Sequence, residues 1–114
     1  MRKSELSWIG SDLLETYAQI WEPTSGEPKA VVCLIHGLGE HSGRYSHVAK
    51  RLTENGYVVF AHDLRGHGKS AGIRGHASTN EVFIGDIAEV FLESGKRFPG
   101  KPLFLYGHSL GANI

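Results

Sequence analysis

The sequence predicts an α/β fold with a largely parallel sheet, entered through an antiparallel hairpin. Three observations point there. Apolar runs with little polar alternation stand at residues 30–35, 57–61 and 103–106, the pattern of strands buried on both faces of a sheet. Segments of helical period separate these runs. Each run also breaks off into a polar loop rich in glycine and histidine.

The elements follow in order. Residues 13–21 alternate loosely and carry Tyr17, Ile20 and Trp21; with residues 6–9, across Gly10-Ser11-Asp12, they form the hairpin. Pro23-Thr24-Ser25-Gly26-Glu27-Pro28 is a turn region. The strand at 30–35 opens into a loop at 36–43 with three glycines. From Arg44, apolar residues fall at Tyr45, Val48, Ala49 and Leu52, the helical spacing, and Asn55-Gly56 closes that helix. The strand at 57–61 is followed by a long polar loop, 62–76. A capping box, Ser78-x-x-Glu81, starts the second helix; its stripe is Phe83, Ile87, Val90 and Phe91, and it stops at Lys96-Arg97 before Pro99-Gly100. The last strand, 103–106, leads into a helix opened by Ser109. No repeat, low-complexity segment or linker interrupts this order, so all 114 residues belong to one domain.

Composition narrows the function. Twelve basic and twelve acidic side chains cancel, which gives no electrostatic footprint for nucleic acid or an anionic surface, and a neutral surface suits a neutral substrate. Cys33, the single cysteine, lies in an apolar run and reads as a buried structural thiol. The basic start, Met1 to Glu5, has no apolar stretch of about 7–15 residues behind it, so no signal peptide is expected. No run has the length of a membrane span, and a cytoplasmic location is the expectation.

The residues that carry chemistry stand where ligands collect in open parallel sheets, at the carboxyl ends of strands. Gly107-His108-Ser109-Leu110-Gly111 reads G-x-S-x-G directly after an apolar run, the pattern of a nucleophile elbow. A sharp strand-to-helix turn lifts the Ser109 hydroxyl above the sheet, and the flanking glycines leave room for it. Acyl transfer also needs two donors aimed at the developing oxyanion. The backbone N–H of Leu110 is one; the other is the N–H of Leu38, in the His36-Gly37-Leu38-Gly39 loop. Acid and histidine follow the serine in this architecture, so both are expected beyond Ile114, and the 114 residues alone are expected to be a poor catalyst.

Other readings compete. His36, His41, His62, His67, His76 and His108 stand in loops or at strand ends and invite a metal site, but no H-E-x-x-H or cysteine pair accompanies them. Neither metal nor cofactor is expected. His62 and His67 are alternative bases; chain order disfavours them, and both are read as loop-stabilising hydrogen bonders. Asp63 and Arg65 are read as a pair within their loop, in a structural role. His108 packs locally.

Three blocks taken together, His36-Gly37-Leu38-Gly39-Glu40-His41-Ser42-Gly43-Arg44-Tyr45, Asp63-Leu64-Arg65-Gly66-His67-Gly68-Lys69-Ser70 and Gly107 to Gly111, resemble the monoacylglycerol lipase and lysophospholipase-like group of α/β-hydrolases. The resemblance spans essentially the whole chain and implies the N-terminal part of an α/β-hydrolase domain, 1–114, ending just after the elbow. It implies Ser109 as nucleophile, the N–H groups of Leu38 and Leu110 as oxyanion hole, and monoacylglycerols or related lipid esters as substrates. It also implies a helical cap further along the chain, through which the protein touches membranes peripherally. Peptidase or acyltransferase chemistry on the same fold, or an inert piece with a binding or scaffold role, are the rivals.

Overall fold

Residues 30–35 and 57–61 are apolar on both sides of the pleat, which suits strands of a sheet covered on both faces. In the computed structural model, which describes residues 1–10, 14–36, 41–63, 69–70 and 80–107, these runs are β3 (Ala30–Ile35) and β4 (Tyr57–His62), paired in parallel at the centre. The hairpin of β1 (Arg2–Ile9) and β2 (Glu15–Glu22) adds antiparallel on the β4 side, and β5 (Leu103–Gly107) adds parallel on the β3 side. The order is β1-β2-β4-β3-β5, and among these strands only β2 runs against the rest.

Side-chain alternation splits the core in two. Val31, Cys33, Val58 and Phe60 face α2 (Asn80–Arg97), where Val90 is buried and Phe91 packs against them. Leu34, Val59, Ala61 and Trp21 face α1 (Ser46–Glu54), meeting Ala49, Val48, Leu52 and Tyr45. The helical stripes read from sequence are therefore the buried faces, with Ile87 buried beside Val90. Ser78 and the Phe83 side chain lie outside the described residues. Cys33 is buried, with its Sγ 3.6 Å from Ser94 Oγ, and burial pushes its thiol up to about 11.

Several boundaries differ from expectation. β1 begins at Arg2 because β2 extends to Glu22 and pairs with it along its whole length, Arg2 opposite Glu22. The helix expected from Arg44 starts as a tight 3-10 turn, Ser42–Tyr45, before α1 proper. Within that turn a Cβ on Gly43 would stand 3.0 Å from the His41 ring, a close approach that suits glycine. At the other end, Gly56 adopts φ +90° just after α1 and its N–H bonds back to the Thr53 carbonyl, as the closing Asn-Gly implied. β5 stands at the edge of the described sheet, with Phe104, Leu105 and Tyr106 about half exposed.

Candidate active site

The three parallel strands end level with one another. Ile35 is opposite His62 on one side and opposite Gly107 on the other, so β4, β3 and β5 release their chains from a single row. The connections from β3 to β4 and from β4 to β5 run over opposite faces, through α1 and α2. The chain therefore first leaves β3 to one side and then returns on the other to place β5 beside β3. The loop bearing Leu38 starts from β3, and the segment bearing Ser109 and Leu110 starts from β5. Leu38, Ser109 and Leu110 themselves lie outside the described residues, as do His67, His76, His108 and Arg65. What is described is the pair of adjacent strand ends from which the two segments start.

That frame is built from buried polar groups at the ends of β3 and β4. His36, His62 and Asp63 are all essentially inaccessible to solvent. A hydrogen-bonding role for His62 does not hold: both ring nitrogens are buried without a hydrogen-bond partner among the described residues. Burial, and secondarily the neighbouring His36, push the His62 ring down to about 3, against the pull of Asp63. A ring held neutral and sealed from solvent is no general base for a serine near neutral pH, which argues against His62 as the base; His67, the other candidate, lies outside the described residues. Its position explains the burial: it is the last residue of β4, lodged between β2 and β3 with Ala18 and Ile35 opposite it.

Asp63 is structural, as expected, but through partners that sequence did not suggest. Its carboxylate accepts the Ser42 N–H at 2.6 Å on Oδ1 and the Lys69 N–H at 2.9 Å on Oδ2. Its own N–H donates to the Tyr17 carbonyl at 2.8 Å, and the Ser70 hydroxyl donates to its carbonyl at 2.5 Å. Ser70 Oγ in turn accepts the Tyr17 N–H at 2.9 Å, and Gln19 Nε2 donates to Ser42 Oγ at 3.3 Å. Tyr17, Gln19, Ser42 and Ser70 were not singled out from sequence. Ser42 and Ser70 stand inside the quoted motif blocks, which was the one available signal. The Tyr17 hydroxyl is pushed up to about 12 by burial and then by Glu5, so it stays protonated.

Among the described residues, no three His, Cys, Asp or Glu side chains gather closely enough to hold a metal ion. A groove of about 360 Å³ is lined by Glu5, Leu6, Ser7, Glu15, Tyr17 and Lys69, with no residue from β3 or β5. Among the described residues, no helix is long and apolar enough to cross a membrane.

With this geometry in place, comparison with known proteins becomes informative. Residues 26–114 match the family described as serine aminopeptidase, S33. The chain belongs to that family. Among S33 relatives, it is 42% identical to the monoglyceride lipase of Homo sapiens over 106 residues, which are 93% of this chain and 35% of that protein. A thermostable carboxyl esterase from Bacillus coagulans, solved in complex with glycerol, superposes with TM-score 0.84 at 32% identity, covering 98% of this chain and 38% of that one. The α/β hydrolase GrgF from Penicillium superposes with TM-score 0.87 at 16% identity, over 99% of this chain and 39% of that one, a likeness of fold alone. The S33 chain thus has the α/β-hydrolase fold and spans about a third of the length of the curated monoglyceride lipases that it matches.

Proposed function

We propose that the protein to which this chain belongs hydrolyses carboxylic esters, with monoacylglycerols or related lipid esters as substrate class, through an acyl-enzyme on Ser109. The observation that carries the reading is the register of β3 with β5. Ile35 opposite Gly107 sends the loop of Leu38 and the G-x-S-x-G segment out of the sheet as immediate neighbours. That is where a nucleophile and two oxyanion donors have to meet. The likeness to a monoglyceride lipase and to a carboxyl esterase supports an ester over other acyl compounds. In this reading the acid and the base come from a further part of the protein, since the relatives are roughly three times as long. The family description, which names an aminopeptidase, makes amides the second substrate class to assay.

The test is turnover of a monoacylglycerol, a short-chain ester and an aminoacyl anilide by the full-length protein and its Ser109→Ala variant. Ester hydrolysis that depends on Ser109 is the expected result. Anilide cleavage without ester cleavage would transfer the assignment to peptidase. No Ser109-dependent turnover of any of the three would remove the enzyme reading.

A further inference from the structure

We infer that Asp63 is a positioning residue for acyl transfer, acting through the Ser42 N–H on the loop that carries Leu38; this rests on the hydrolase reading above. Residues 37–41 span the gap between two fixed points. On one side is His36, buried directly after β3. On the other is Ser42, buried, whose N–H is taken by Asp63 Oδ1 at 2.6 Å and whose hydroxyl accepts from Gln19. Asp63 is itself immobilised where β4 meets β2, through the Tyr17 carbonyl and the Ser70 hydroxyl. The carboxylate thus transmits the rigidity of the central sheet across 21 residues of sequence to the far end of a five-residue loop.

Rigidity at that point has chemical consequences. An oxyanion donor acts only when it is aimed at the developing charge before the reaction, and a displacement of about 1 Å can cost roughly 10²-fold in rate. Leu38 lies four residues before Ser42, so the anchor is close in the chain to the proposed donor. Asp63 is distinct from the acid of a catalytic triad. Its Oδ1 and Oδ2 each accept a backbone N–H, and those bonds offset the cost of burying the carboxylate.

Asp63→Asn and Ser42→Pro test this in the full-length protein. The amide of Asp63→Asn has one acceptor oxygen and cannot receive both N–H groups. Ser42→Pro deletes the N–H from the other side, and the extended backbone of His41, φ −155° and ψ 162°, accommodates a following proline. Ser42→Ala, which keeps the N–H, is the comparison. The expected result is a fall in kcat of about 10- to 100-fold for Asp63→Asn and for Ser42→Pro beyond Ser42→Ala, with KM moving less than about threefold. The rate of Ser109 labelling by a fluorophosphonate, whose phosphoryl oxygen uses the same donors, should fall in parallel. Should Asp63→Asn fail to fold, Ser42→Pro carries the test. Wild-type kcat in either folded variant, with only the melting temperature lowered, overturns the positioning role and leaves the hydrolase reading standing. Absence of Ser109-dependent turnover in the wild type removes both.

Discussion

β3 and β5 are neighbours with similar apolar sequences and opposite surroundings. Every residue of β3 is buried, held between β4 and β5 and covered on both faces, whereas β5 has a neighbour on one side among the described residues and shows half of Phe104, Leu105 and Tyr106. Their carboxyl ends differ in the same sense. Beyond β3, His36 is buried and the buried Ser42 donates its N–H to Asp63; β5, which leads to the serine segment, is an edge strand among the described residues. The difference teaches that the two halves of the proposed site have separate physical roots. One starts from a fully buried strand with buried polar groups at its end, and the other from a half-exposed strand at the edge of the described sheet.

The largest effect belongs to the β5 side. Ser109→Ala in the full-length protein should lower kcat by about 10⁴–10⁶ while leaving the melting temperature near wild type. A fall in stability matching the fall in rate would make the serine part of the scaffold and break the distinction.

A matched pair of truncations sharpens it next. Leu34→Ala empties a fully buried position on β3 and should cost about 2–5 kcal/mol in denaturant unfolding. Leu105→Ala on β5, half exposed and opposite Cys33, should cost under about 1 kcal/mol in the chain described here. Equal costs would mean that β5 is as enclosed as β3.

The braced side also carries a pH signature. His62 is held down to about 3 in the fold, against about 6.5 for a free histidine, so the unfolded chain binds the extra proton. Stability is therefore full above about pH 6.5 and falls toward the folded value, by up to about 1.4 kcal/mol per pH unit from this one group. Unfolding free energies at pH 7.5 and 5 should show the drop, and His62→Phe should reduce the slope. An unchanged slope would mean that the ring is not held neutral.

The smallest effect concerns Cys33 on β3. Burial and a thiol pushed up to about 11 leave almost no thiolate at pH 8, so an aromatic disulfide reagent should react only after unfolding. Rapid reaction of the folded chain would show that β3 is accessible after all.

The elements that were legible in sequence share one property: their pattern repeats. β3, β4 and the stripes of α1 and α2 are written by apolar period, and Asn55-Gly56 by its turn chemistry. The brace was illegible because a carboxylate that binds backbone N–H groups at Ser42 and Lys69 imposes no requirement on their side chains. His62 was misread because a histidine at the mouth of a loop looks the same whether it bonds or is packed away. For the proposed site, the sequence offers a motif, and the structure adds the register that places the ends of β3 and β5 opposite each other.

The central claim is that the elbow supplies a nucleophile to the loop beside it. Peptide mapping by mass spectrometry after treating the full-length protein with a fluorophosphonate tests it most directly. The account expects one adduct per molecule, on Ser109, formed in step with loss of ester hydrolysis. An unlabelled Ser109 in a protein that still turns over esters, or an adduct on another residue that abolishes turnover, would contradict it.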